Sequence, residues 1–388
     1  MDANALAIIN TLNSAGFQGY LVGGCVRDLL CGKRPKDFDI ATDATLPEVK
    51  KLFRRARIVG RRFPIVHVRH GREIIEVSTF RQSISNNVVH DDQGMILRDS
   101  TEGTLEEDAF RRDFTINALY YDPIQAEIID FVGGLADIKR QRIRFIGKPA
   151  VRIAEDPVRM LRAIRFAAKL GFDIDAAITD LSADAADRLT AIPPARLFDE
   201  FTKLFLSGHS LAVWELLVSF GLATTLFPAC NPNSSLATLA MRNTDHRIAE
   251  GASVTPGFLL AIVLWEDFQA RLADSLSASD HPAVLTLRDQ QQRIAVPRRF
   301  STFIHEVWGL QVRLETRSRR SASRLLQHKR FRAGYDFLCL RAESEPELQE
   351  TASWWTTLQS VDAETRGAMI AALPQTKRRR RRKKSEPT

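Results

Sequence analysis

A glycine pair between a strand and a helix, followed closely by two aspartates, is the feature that most constrains this chain. The segment LVGGCVRDLL carries Gly23 and Gly24 at the junction, and DFDI carries Asp37 and Asp39. Glycine allows close approach to the backbone, and the N-terminus of a helix attracts anions. Alternate residues of a strand share a face, so we expect the two carboxylates to lie side by side. They repel each other unless a cation neutralises them.

These residue types together predict phosphate and metal chemistry. Hard divalent cations prefer carboxylate and phosphate oxygens, and nucleotidyl transfer uses both. We assign Asp37 and Asp39 to metal binding and catalysis, and Gly23, Gly24 and Arg27 to a triphosphate. The expected ion is Mg²⁺, with Mn²⁺ as the alternative. The structural alternative is a solvated edge strand, but the upstream glycine pair at this distance disfavours it.

A third carboxylate would complete the site. Glu76 lies on a predicted strand whose apolar neighbours face the other way, and we assign it to metal binding. Asp113 in RRDFTIN is the other candidate, and we assign it to catalysis. Glu73 would replace Glu76 if the register of the strand differed. The sequence does not rank these candidates.

Two further segments carry residues suited to a nucleotide. In RRDFTINAL, Arg112 can clamp phosphate and Asn117 can bind ribose hydroxyls, although both also suit an ion-paired helix end. In EDPVRMLRAIRFAAKLGF, Arg159 and Arg162 share one helix face by their spacing. Asp156 precedes that helix, and a simple N-cap is its structural alternative. We assign all five of these positions to nucleotide binding.

Positive charge is concentrated toward the C-terminus. The formal net charge is +8, and the last twelve residues, KRRRRRKKSEPT, contribute +7 of it. A second basic cluster precedes them. Such runs attract phosphate backbones in a salt-dependent way, so we predict RNA binding in preference to a merely solubilising tail. The predicted RNA-binding residues are Arg319, Arg320, Lys329, Arg330, Lys377, Arg378, Arg379, Arg380, Arg381 and Arg382.

The pattern of elements predicts an α+β chain with an all-α body. Strand and helix signals mix in the first part, which includes a strand over 19–22 and a hairpin turn at Asp122-Pro123. Helical periodicity dominates the rest, with a helix that begins at Pro157 and ends before Gly171 and another over 256–273. Four scattered cysteines suggest neither disulfides nor a zinc site, and no apolar run is long enough for a membrane span. A cytoplasmic protein is expected. The predicted domains are a head with a mixed sheet (1–146), a helical neck and body (147–270), a C-terminal helical RNA-binding region (271–376) and a disordered basic tail (377–388).

Five segments, in this order, resemble the class II nucleotidyltransferases of the DNA polymerase β superfamily: LVGGCVRDLL, DFDI, EVSTFR, RRDFTINAL and EDPVRMLRAIRFAAKLGF. That family comprises bacterial poly(A) polymerases and CCA-adding enzymes. The resemblance implies that Asp37 and Asp39 bind the catalytic metals, that Glu76 and Asp113 lie in the active site, and that the helix after Asp156 reads the incoming base.

Other segments resemble bacterial poly(A) polymerases in particular: IVGRRFPIVHV, IPPARLFDEFTKLFLSG and HKRFRAGYDFLCLRAES. The resemblance implies transfer of AMP from ATP to RNA 3′ ends with release of pyrophosphate, as in mRNA processing and decay. RNA and ATP are then the partners, DNA is not, and protein partners in RNA decay stay open. A CCA-adding tRNA nucleotidyltransferase is the first alternative, and a non-catalytic RNA-binding protein on the same scaffold is the second.

Overall fold

A seven-stranded mixed sheet organises the first part of the chain. The computed structural model describes residues 2–60, 64–71, 73–82, 89–90, 96–98, 102–274 and 281–374. The strands are β1 Gly19–Val22, β2 Asp39–Thr42, β3 Ala56–Val59, β4 Ile65–His70, β5 Glu73–Thr79, β6 Val89–His90, β7 Ile96–Arg98, β8 Leu119–Asp122, β9 Glu127–Asp130, β10 Arg142–Ile143 and β11 Asp173–Ile174. The large sheet has the order β3-β4-β5-β2-β1-β8-β9, in which only β2 and β5 pair in parallel.

The chain divides into two compact units, Met1–Ala185 and Ala186–Thr388. The predicted boundary after residue 146 therefore falls inside the first unit. The helices up to the division are α1 Ala3–Ser14, α2 Gly24–Leu30, α3 Leu46–Leu52, α4 Leu105–Arg111, α5 Gly134–Lys139, α6 Pro149–Glu155, α7 Val158–Leu170, α8 Ala176–Thr179 and α9 Ser182–Leu189, of which α9 spans it. A short 3₁₀ helix covers Thr115–Asn117.

The two faces of the large sheet bury different cores. On one face, Ile40, Val66, Val68 and Val77 pack with Ile8 of α1, as the alternation of buried residues along the strands requires. On the opposite face, the core contains the buried residues Val22, Ala41, Phe80, Ala109, Ala118, Tyr120 and Ile146. Strand residues that alternate along the chain with those of the first core, such as Asp39 next to Ile40, therefore lie on the second face.

The second unit is helical, as the sequence predicted. Its helices are α10 Pro194–Phe205, α11 Ser210–Ser219, α12 Leu222–Leu226, α13 Ser235–Ala249, α14 Pro256–Val263, α15 Trp265–Ala273, α16 Pro282–Gln291, α17 Arg298–Thr316, α18 Ala322–Leu326, α19 Phe331–Ser344, α20 Gln349–Ser360 and α21 Ala363–Ala371. Buried aromatic residues fill its core, with the rings of Phe268 and Trp308 stacked at 4.4 Å between centroids. None of the helices within the described residues has the length and apolar character needed to cross a membrane.

Candidate active site

The glycine turn joins β1 to α2. Gly23 has a φ of +76°, a left-handed value that favours glycine, and its N–H donates to the carbonyl of Leu119 over 3.1 Å. A Cβ added at Gly23 would lie 3.4 Å from Nη1 of Arg112. Gly24 begins α2. The fold therefore brings the first nucleotide motif of the sequence against the second one.

A row of paired residues crosses the sheet next to this turn. Asp39 lies opposite Val22 on one side and opposite Glu76 on the other, and Glu76 lies opposite His67. The His67 Nε2 and Glu76 Oε1 atoms are 3.3 Å apart. Glu73 instead accepts a hydrogen bond from Asn4 over 2.7 Å. The register thus makes Glu76, and not Glu73, the neighbour of Asp39.

The row is electrostatically strained. Burial raises the pKa of Asp39 to about 6, with further contributions from the charges of Glu76 and Asp37, while Arg112 opposes the shift. Strand β2 begins at Asp39, so Asp37 precedes the strand and is exposed to solvent. A divalent cation would relieve this repulsion, so Asp37 and Asp39 fit a metal ion. The described residues contain no group of three or more His, Cys, Asp or Glu side chains able to hold a metal ion together.

Arg27 is buried beside the turn, with only 3% of its surface exposed. Its Nη1 donates to Oδ1 of Asn117, and its Nε and Nη2 donate to Oδ1 of Asp28 over 2.8 and 2.6 Å. Lys169 of α7 donates to the other oxygen of Asp28 over 2.9 Å. Arg27 and Lys169 lower the pKa of Asp28 despite its burial. These contacts fix the predicted triphosphate ligand Arg27 against the predicted ribose ligand Asn117.

Arg112 is held by a carboxylate that the sequence analysis did not identify. Asp108 of α4 is fully buried and accepts from Nη2 of Arg112 over 2.9 Å and from the hydroxyl of Tyr120 over 2.6 Å. Arg111 donates to its other oxygen over 2.8 Å. These arginines lower the pKa of Asp108 against the effect of burial. The helical spacing of four between Asp108 and Arg112 was the available sequence signal.

Asp113 faces α7. Its Oδ2 accepts from Nε of Arg162 over 2.7 Å, and its Oδ1 accepts from the N–H of Phe114 over 2.9 Å. The Arg162 charge lowers the pKa of Asp113 against the effect of burial. Asp113 and Arg162, which the sequence assigned to different roles, therefore form one ion pair. This pair is one of the contacts that hold α7 in the first unit.

A phenylalanine surrounded by guanidinium groups lies on the same helix. The guanidinium carbons of Arg27 and Arg165 lie 5.1 Å from the Phe166 ring centroid, and that of Arg162 lies 5.8 Å from it. Phe114 packs edge-on at 5.3 Å between centroids. The ring is partly exposed. An aromatic face bordered by cations is suited to a nucleobase.

The start of α7 is held by α6. Arg159 donates to Glu155 over 2.6 Å and to the carbonyl of Arg152 over 2.8 Å. Asp156 accepts from the N–H of Val158 over 3.2 Å, so its side chain caps the helix. Helix α7 begins one residue later than predicted, and Gly171 ends it as expected. The sequence indicated the pairing of Glu155 with Arg159 only through their spacing of four residues.

The predicted RNA-binding residues that the structure describes lie in the second unit. Lys329 and Arg330 both pair with Glu306, over 2.6 and 2.9 Å. Arg319 and Arg320 are exposed. The tail residues from Lys377 to Arg382 lie outside the described residues.

Three family models match successive parts of this chain. A poly(A) polymerase head domain matches residues 19–144, a probable RNA- and SrmB-binding site of polymerase A matches 171–233, and a polymerase A arginine-rich C-terminus matches 273–387. A poly(A) polymerase I of Escherichia coli O6:H1 is 42% identical over 98% of this chain and 88% of its own length. The chain belongs to the bacterial poly(A) polymerases of the tRNA nucleotidyltransferase family.

Other relatives support this membership. A poly(A) polymerase I of Haemophilus influenzae is 40% identical over 95% of this chain and 86% of its own length. A CCA-adding enzyme of Bacillus pumilus is 40% identical over only 56% of this chain and 53% of its own. The activity of the family is therefore template-independent polyadenylation of RNA by a polynucleotide adenylyltransferase, with a nucleotide and a divalent metal.

Solved structures confirm the fold. The Bacillus stearothermophilus CCA-adding enzyme in complex with CTP matches with a TM-score of 0.63 and 24% identity, covering 97% of this chain and 90% of its own. The Thermotoga maritima CCA-adding enzyme complexed with tRNA matches with a TM-score of 0.58 and 22% identity, covering 96% and 80%. Because these identities are below 25%, the likeness shows only that the chain shares the fold of these enzymes.

Proposed function

We propose that this member of the bacterial poly(A) polymerase family transfers AMP from ATP to RNA 3′ ends at the row that contains Asp39 and Glu76. The observation that carries the proposal is the strand register, which places Asp39 opposite Glu76 on one side and opposite Val22, next to the glycine turn, on the other. Burial and the neighbouring carboxylates raise the pKa of Asp39 to about 6, as a site for a cation requires. Asp37 and Asp39 would hold Mg²⁺. When bound, the ions would activate the 3′-hydroxyl and stabilise the leaving pyrophosphate.

The protein groups position the triphosphate and the sugar. Asp108 occupies Nε and Nη2 of Arg112, while Nη1 lies beside Gly23, 3.5 Å from the carbonyl of Asn117. We assign this edge of the guanidinium to the phosphates, next to the Gly23–Gly24 turn. Arg27 holds the side chain of Asn117, which we assign to a ribose hydroxyl. The 3′-hydroxyl attacks the α-phosphorus, and the bond to pyrophosphate breaks.

Helix α7 supplies the base-binding side. Asp113 fixes Arg162, and Glu155 fixes Arg159, so both guanidinium groups are held before a nucleotide arrives. We propose that Arg159, Arg162 and the capping residue Asp156 contact the incoming base. Asp113 then acts as a positioning residue. The exposed residues Arg319 and Arg320, with Lys329, Arg330 and the basic tail, would hold RNA.

Glu76→Gln is expected to lower the transfer rate about ten- to a hundredfold, because Glu76 adjoins Asp39 and adds its negative charge to the proposed metal site. Glu73→Gln is the matched control on the same strand, since its carboxylate bonds to Asn4 instead. Single-turnover AMP transfer measures both. A greater loss in the Glu73 variant would reverse their assignment.

Nucleotide selectivity tests the proposed function. The purified protein with Mg²⁺ receives an oligo(A) primer or a tRNA lacking its CCA end, with ATP or CTP alone. Long ladders with ATP on oligo(A), and almost none with CTP, are expected. Addition of C residues to the tRNA would favour a CCA-adding enzyme, and RNA binding without extension would favour the non-catalytic alternative. Replacing Mg²⁺ by Mn²⁺ in the same assay tests the ion.

A further inference from the structure

One stretch of the first unit carries positive charge without any acidic residue. Between Glu48 and Glu73 the sequence contains nine Lys or Arg residues and neither Asp nor Glu. None of the sequence motifs assigned to catalysis lies in this stretch. It covers most of α3, the outer strand β3 and strand β4.

Four arginines of this stretch form what we call the basic edge: Arg54, Arg55, Arg57 and Arg69. All four side chains are exposed. No ion pair joins any of them to another residue that the structure describes, whereas Arg112 and Arg162 near the active site each pair with a carboxylate. The positive charge of the basic edge is therefore available to a partner.

The cations of the basic edge are close together. The N–H of Arg69 donates to the carbonyl of Arg55 over 3.2 Å, so their backbones adjoin where β3 and β4 begin to pair. Arg54, Arg55, Arg69 and His70 also border a concavity on the α1 side of this edge, which Ile8, Leu52 and Phe53 line. Adjacent like charges repel each other in the absence of an anion, so a polyanion binds favourably along the basic edge.

The basic edge continues the row of active-site residues. Arg57 lies opposite His67, which lies opposite Glu76, which lies opposite Asp39. Residues opposite each other share a face of the sheet, and three strand spacings amount to about 14 Å. A polynucleotide whose 3′ end is at Asp39 therefore reaches Arg57 within a few nucleotides.

We propose that the basic edge binds the backbone of the RNA upstream of the 3′ end that is being extended. The inference rests on RNA being the substrate, as proposed above, and adds an RNA-binding surface in the first unit. Neither the polymerase A segment described as RNA-binding, 171–233, nor the arginine-rich C-terminus, 273–387, includes it. Contacts to phosphates require positive charge and carry no sequence information. A surface with four exposed arginines and no acidic residue fits such contacts.

The test compares Arg55→Gln/Arg69→Gln with Lys139→Gln/Arg140→Gln in the full chain. The control removes two exposed charges of the same unit, from the end of α5. Fluorescence anisotropy measures binding of oligo(A) of about 5 and about 20 nucleotides across a salt series. These measurements contain no ATP and no divalent cation, so they do not depend on the catalytic assignment.

The basic-edge variant is expected to bind the long RNA about tenfold more weakly, with a slope of log K against log salt that is smaller by up to about 1.4. Its KM for the long primer rises while its KM for ATP does not, and high RNA concentrations restore the rate. The short RNA is weakened as well, since a few nucleotides reach Arg57, whereas the control variant shows little change with either RNA. An unchanged affinity and slope for the long RNA, or an equal loss in the control, would overturn the proposal.

Discussion

Asp39→Asn is expected to abolish AMP transfer and, without divalent cations, to make the protein more stable than the wild type. The transfer rate falls at least about a thousandfold, because the carboxylate that would hold the catalytic ions is gone. The gain in stability has a separate cause. Asp39 is ionised at neutral pH although burial, Glu76 and Asp37 all disfavour its charge.

The pH dependence of this gain follows from the raised pKa. The folded-state pKa of about 6 exceeds the ordinary value of 3.8, so the ionised side chain lowers the free energy of unfolding. This penalty is absent below about pH 4 and complete above about pH 6, where it amounts to at most about 3 kcal/mol. Asparagine carries no charge, so the variant gains stability only as the pH rises through that range.

Asp37→Asn is the matched comparison. It is also expected to lose transfer, but Asp37 is exposed and precedes the strand, so its replacement brings a smaller gain in stability. Thermal unfolding in EDTA between pH 4 and 8, together with primer extension in Mg²⁺, measures both variants. Extension by the Asp39 variant at a rate within tenfold of wild type would exclude Asp39 from the chemistry.

Asp108→Asn is expected to cause the largest loss of stability among the site residues. The buried carboxylate bonds to Arg111, Arg112 and Tyr120, and its removal leaves cations without their counter-charge at a cost of about 3–5 kcal/mol. Because Arg112 also loses its anchor beside Gly23, the KM for ATP rises. Arg112 belongs to the sequence motif, whereas Asp108 lies outside it and positions Arg112.

The contribution of Asp108 also depends on pH. Its folded-state pKa is depressed, so the stabilisation is present above the ordinary value and is lost as the pH falls through the depressed value. The difference between the variant and the wild type should narrow below about pH 4. Tyr120→Phe removes two hydrogen bonds, to Asp108 and from Arg112, but keeps the ion pairs, and should cost about 2 kcal/mol. Denaturant unfolding measures all three proteins, and an Asp108 variant as stable as Tyr120→Phe would contradict the assignment.

Local patterns predicted much of the first unit. Strand β1 has the predicted bounds, and the hairpin of β8 and β9 lies where Asp122 and Pro123 indicated a turn.

In the second unit, the predicted helix over 256–273 is instead two helices, because the backbone at Leu264 leaves the helical conformation with a ψ of 3°. Helix α13 was not predicted, although Ser234 caps it by accepting from the N–H of Ala237.

The sequence by itself determined the kind of chemistry, since a glycine pair at a strand-to-helix turn is followed closely by two aspartates. It did not determine the strand bounds, because β2 begins only at Asp39 and Asp37 precedes it. Only the tertiary structure decided which glutamate adjoins Asp39. Glu73 and Glu76 lie on the same strand, and the choice depends on the register between β2 and β5. That register follows from burying Ile40 and Val77 on the other face of the sheet, and a sequence read element by element does not contain such long-range packing.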